Sequence, residues 1–142
     1  MRTLFRTGGI LLILGVILAP APSLASSVAS RTFEAPLDQV WTVTESVLKS
    51  LGWDIDTFDR AVGWILTDSR PIDFKEFAIY GKGLRQKVGL SLKAIGSSQT
   101  MVSVERDLYQ EERILWMIER KAVDPTDQTV ESGILDAIQH GL

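Results

Sequence analysis

The chain has 142 residues, 15 basic and 18 acidic, a net charge of −3, and no cysteine. That balance offers no basic face to offset phosphate charge, so it argues against a nucleic-acid binder. It also argues against general attraction to anionic lipid. Without cysteine there are no disulfides and no thioether-linked lipid, so stability has to come from packing.

Residues 1–25 read as a cleaved signal peptide. Arg2 and Arg6 supply a positive start, and Ile10 to Ala19 an apolar core. Pro20 and Pro22 then end any helix, and Ser23-Leu24-Ala25 places small residues at the sites a signal peptidase reads. Cleavage is expected after Ala25. A membrane span needs ~20 apolar residues, more than this core offers before its prolines. The expected location is periplasmic or secreted. Removing Arg2 and Arg6 leaves 13 basic against 18 acidic residues, a net of −5, in one domain over 26–142.

Residues 26–30 read as a flexible lead-in, and Arg31 to Glu34 as a short strand. Pro36 suits a helix start. Leu37, Val40, Trp41, Thr44, Val47, Leu48 and Leu51 follow at helical spacing, with Gly52 as terminator. Trp53 to Phe58 alternates: Trp53, Ile55 and Thr57 share one face, Asp54, Asp56 and Phe58 the other. With a turn over 59–63 and a return through Trp64 to Asp68, this predicts a hairpin. Pro71, Gly81 and Gly83 suggest that 70–85 lacks regular structure. Val88, Leu90, Leu92 and Ala94 predict a half-buried strand, a turn at 96–99 follows, and Thr100, Val102 and Val104 continue on its partner. Residues 110–123 fit either a helical stripe or a strand, and strand is preferred. Asp124 to Asp127 are a stop followed by a cap, before a final helix on which Val130, Ile134, Ala137, Ile138 and Gly141 share a face and Gly133 would permit close packing.

The expected fold is α+β in the order β-α-β-β-β-β-α: an antiparallel sheet gripping one long helix. The pattern Phe33-Glu34-Ala35-Pro36-Leu37-Asp38-Gln39-Val40-Trp41, then Leu51-Gly52-Trp53, Asp59-Arg60 and Gly63-Trp64-Ile65-Leu66-Thr67, resembles the amino-terminal helix-grip repeat of the BamC (NlpB/DapX) lipoproteins. The resemblance covers residues 32–69 and consists of fold-forming residues. It implies a non-enzymatic envelope role linked to outer-membrane protein assembly. The chain departs from that family in lacking the lipidated cysteine and in having one domain where those proteins carry two.

The chemistry-bearing residues are sparse. His140, the lone histidine, lies two residues from the end, a poor place for a catalytic base. Asp54, Asp56 and Asp59 lack the spacing of a calcium loop and read as a strand's wet face. Gly81-Lys82-Gly83 lacks the spacing of a phosphate loop, and Lys82, Arg85 and Lys87 read as a local basic cluster. No catalytic residue, metal or cofactor is expected. Trp41 and Trp53 belong to the core; Phe74, Phe77, Tyr80, Trp64 and Trp116 are the candidate contact residues. Two functions follow. One is an interaction module with a protein partner in the envelope, expected to expose an apolar patch around 72–80 or at Trp116. The other is a carrier of a small apolar ligand, expected to enclose a pocket lined by Phe74, Phe77, Tyr80 or Met117.

Overall fold

A computed structural model describes residues 27–142; the signal-peptide reading lies outside the described residues. The elements are β1 (Ser27–Phe33), α1 (Leu37–Ser50), β2 (Ile55–Asp59), β3 (Trp64–Thr67), β4 (Arg70–Phe77), β5 (Tyr80–Ile95), β6 (Gln99–Ile114), β7 (Met117–Val123) and α2 (Thr129–Gly141). They form an α+β fold with one antiparallel sheet of seven strands and two helices.

The spine is the β5–β6 hairpin, which pairs without a break from Ile95↔Gln99 at its turn to Tyr80↔Ile114 at its far end. Each long strand has two neighbours in succession. β5 pairs with β3 through Gly89–Ser91 and with β4 through Tyr80–Gln86. β6 pairs with β1 through Thr100–Arg106 and with β7 through Leu108–Ile114. The sheet therefore has a body, β2-β3-β5-β6-β1, and an arm, β4-β5-β6-β7.

Both helices lie on one face of the body. Val88, Leu90 and Leu92 of β5, Val102 and Val104 of β6, Ile65 and Phe33 form one buried cluster with Val40, Trp41, Val47, Leu48, Ile134, Leu135 and Ile138. Pro36 caps α1, its carbonyl accepting from the Gln39 and Val40 amides at 3.1 Å. The helix ends in a Schellman turn. Gly52, at φ +79°, donates to the Lys49 carbonyl, and Trp53 donates to that of Leu48. Trp53 is then covered by Arg70, whose guanidinium lies 3.5 Å from the ring centroid and donates to the Leu51 carbonyl. The start of β4 is thereby fastened to the end of α1. At α2, the Asp127 carboxylate accepts from the Thr129 amide, a hydrogen bond that holds its pKa below the usual range.

A buried ion pair closes the core where body meets arm. Arg106 Nε lies 3.0 Å from Glu131 Oε1, with side-chain exposures of 9% and 0%. The same guanidinium donates to the Asp127 carbonyl. Such a pair adds little net stability, but losing one partner strands a buried charge.

Several expectations are corrected. Ser27 to Ser30 are not a lead-in. They extend β1 along the open edge of β6, with Ala29 opposite Val104 and the Ser30 and Ser103 hydroxyls 2.8 Å apart. The β2 alternation is broken by a bulge between Ile55 and Thr57. Phe58 consequently sits opposite Ile65 on the helix side, its ring edge-on to Trp41, while Thr57 faces away. Residues 70–85 are two strands rather than irregular chain. Pro71 is tolerated because β4 is an edge strand, and Gly81 lies under the Phe74 ring, where a Cβ would come within 3.0 Å of ring carbons. The sheet thus has seven strands against five expected. Residues 110–123 are strand, the β6–β7 hairpin. Gly133 meets nothing within 4 Å; the close helix approach is at Gly141, beside Val43.

Two glycines give opposite expectations. Gly63 has φ +91°, and a Cβ there would lie 2.3 Å from the Leu92 carbonyl oxygen. Gly63→Ala should cost about 2–4 kcal/mol. Gly133→Ala, in an open helix interior, should gain about 0.5–1 kcal/mol. Urea denaturation of both variants checks the pair: the midpoint falls for the first and rises for the second.

Candidate functional site: the apolar tip of the arm

Among the described residues no helix covers the arm, and both of its faces are open. On the face turned toward the helices' side, the rung nearest the body is Arg70, Gln86, Leu108 and Val123. Farther out, one rung is charged across all four strands: Lys75, Lys82, Glu112 and Glu119. Lys82 Nζ lies 3.9 Å from Glu112 Oε2. The last rung is apolar or aromatic across all four: Phe77, Tyr80, Ile114 and Met117.

The opposite face holds the arm together without a core. Arg85 lies over the Phe74 ring and donates through Nε to Ser69 Oγ, to which Tyr109 also donates. Arg120 covers the Tyr109 ring and donates to Glu111 at 2.8 Å, which raises the Arg120 pKa above its ordinary value. Arg113 pairs with Glu76 at 2.9 Å.

Beyond the last rung the two hairpins close in two-residue loops, Ala78-Ile79 and Leu115-Trp116. The loops are side by side, with the Leu115 amide donating to the Ile79 carbonyl at 2.7 Å. The first residue of each has positive φ, 49° at Ala78 and 57° at Leu115. Hairpin loops normally put glycine, asparagine or aspartate at such positions, because a Cβ is strained there. Here the residues are alanine and leucine. The tip as a whole gathers Phe77, Ile79, Ile114, Leu115, Trp116, Met117 and Ile118, all exposed, from 44% at Ile114 to 83% at Trp116.

Of the expected contact residues, the structure brings together Phe77, Tyr80 and Trp116. Phe77 is 64% exposed, and the half-buried Tyr80 donates to Glu112. Phe74 lies on the arm's opposite face over Gly81. Trp64 is not at the tip; it is half-buried in the body, opposite Ser91 on the sheet face away from the helices. Ile79 fell within the expected patch around 72–80, while Ile114, Leu115 and Ile118 were missed as site residues. Their signal was the two turns built from apolar residues alone. The basic cluster of Lys82, Arg85 and Lys87 is divided by the strand, with Lys82 on one face and Arg85 and Lys87 on the other. Asp59 closes its own turn, accepting from the Val62 amide. His140 is exposed near the end of α2.

Two clefts flank β7. One of about 530 Å³ is lined by Lys87, Arg106, Asp107, Tyr109, Arg120 and Pro125 among others; one of about 240 Å³ is lined by Lys82, Gln110, Glu112, Glu119, Arg120 and Lys121. Neither is lined by Phe74, Phe77, Tyr80 or Met117, the residues a carrier pocket would use. No family model matches the chain, and no curated protein matches it in sequence.

The strained loops carry an expectation. Glycine adopts positive φ freely, so Ala78→Gly should leave stability unchanged or raise it by up to about 1 kcal/mol, although glycine usually weakens a hairpin. Thermal denaturation of this variant beside Glu76→Gly, a strand position of ordinary φ, checks it: only the second should lower the Tm.

Proposed function

We propose that this chain is a non-enzymatic, exported interaction module of the bacterial cell envelope, serving outer-membrane protein assembly, with the arm as its contact element. The observation that carries this is the apolar tip. Large apolar side chains converge on two adjacent turns at the end of an arm that no helix covers among the described residues. A patch of that kind on a protein surface marks a contact site. The leader-like residues 1–25 support export, and the motif over residues 32–69 supports kinship with helix-grip envelope proteins. The body supplies a rigid base, with Trp41 and Trp53 fully enclosed.

A photoreactive side chain placed at position 116 of the full chain, in living cells, tests the reading; position 93, an exposed lysine of the body, is the control. Position 116 is expected to capture identified components of the outer-membrane assembly machinery, or the lipid beside them, and position 93 far less. Capture of cytoplasmic proteins only, or equal capture from both positions, would overturn it.

A further inference from the structure

We propose that the tip of the arm inserts into a lipid bilayer, holding the helix-covered body off the membrane at the arm's length. This rests on the envelope reading above and names the occupant of the tip.

Three observations favour lipid. First, the backbone suits a shallow insertion. The ladder pairs Phe77↔Tyr80 and Ile114↔Met117, and the outer edges of β4 and β7, which have no strand beside them among the described residues, would lie at the interface, where water still reaches them. The Leu115–Ile79 hydrogen bond adds a link between the two loops themselves.

Second, the boundary is sharp and at the right depth. The last rung, apolar but for the Tyr80 hydroxyl, lies two residues beyond the charged rung of Lys75, Lys82, Glu112 and Glu119 on one face and one residue beyond the Glu76–Arg113 pair on the other. Counted from Glu76 and Arg113 at ~3.3 Å per residue, the rung and the loops beyond it make an apolar cap roughly 5–7 Å deep. Interfacial elements bury to about that depth, roughly 5–10 Å. The charged rung would then lie among the headgroups, where lysine stems can reach along the apolar boundary, and Trp116 and Tyr80 suit the interface.

Third, the tip is convex and its loops keep apolar residues where strain favours glycine. A second copy would need a socket for it. The larger described cleft sets Leu108, Ala122, Val123 and Pro125 beside Lys87, Arg106 and Asp107, so a second copy seated there is the rival occupant that sedimentation tests.

The charged rung carries two lysines and two glutamates, so insertion should not depend on anionic lipid or on low salt. The test uses the full chain with phosphatidylcholine vesicles whose acyl chains are brominated near the interface. The emission of Trp116 is isolated as the difference from Trp116→Phe, which keeps the tip apolar. Bromolipid is expected to quench that component at least about twofold, at low and at high salt. Leu115→Asp combined with Ile79→Asp should abolish the quenching while leaving the Tm within a few degrees of the parent.

A Trp116 component untouched by bromolipid would overturn the proposal. So would sedimentation showing a tip-dependent dimer that forms in place of vesicle contact. The envelope reading fails separately. Unquenched Trp116 together with assembly-machinery adducts from position 116 would leave that reading standing. Quenched Trp116 in a chain that cells retain in the cytoplasm would leave only the lipid proposal.

Discussion

The unbroken β5–β6 ladder is the constraint from which the rest of the architecture follows. Sixteen residues in each strand are too many for the helices to cover. The hairpin therefore passes from a buried face to a solvated one along its own length. Val88, Leu90 and Leu92 are buried in the half of β5 nearer the Ile95 turn, and Tyr80 and Lys82 lie on the same face in the half nearer the tip. Changes of partner accompany the change of environment, β3 to β4 on one side and β1 to β7 on the other. Arg106 marks the frontier. It follows the buried Val102 and Val104 on the inward face of β6, and its bond to the buried Glu131 lets a charged side chain end the core without an unpaired charge.

Body and arm consequently differ in what holds them. The body depends on apolar burial between sheet and helices, with Trp41, Leu48, Ile134 and Ile138 at its centre. The arm depends on backbone pairing and on a surface network of Phe74, Arg85, Ser69, Tyr109, Arg120 and Glu111. Exposed pairs of this sort contribute little each, so the arm has a smaller reserve of stability than the body. An element of that kind can adapt at its far end while its base stays fixed.

Much of the body was legible in the sequence because its signals are local. Leu37 to Leu51 repeat at helical spacing, Gly52 marks a helix end, and Val88 to Leu92 alternate cleanly. The arm was obscured because two of its signals resemble breaks. Pro71 is harmless on an edge strand, and Gly81 is occupied from above by Phe74. The β2 bulge was invisible because strict alternation assumes a regular ladder, and one extra residue moves Phe58 to the helix side of the sheet, where it stays 54% exposed. At the candidate site, Phe77 and Trp116 could be named from their bulk alone. That they meet depends on pairing between residues far apart in sequence, Tyr80 with Ile114, which no local pattern records. Nothing local marks Glu131 as buried; Arg106, on another element, makes its burial possible.

The most direct test of a single hairpin serving two environments is native-state hydrogen exchange along β5 and β6 in the free protein. The account predicts that amides from Val88 to Leu92 and from Val102 to Val104 exchange only through global unfolding. Those from Tyr80 to Leu84 and from Gln110 to Ile114 should exchange through a smaller opening, at least about 2–3 kcal/mol less costly. Equal protection along the whole ladder would contradict it, because body and arm would then unfold as one cooperative unit.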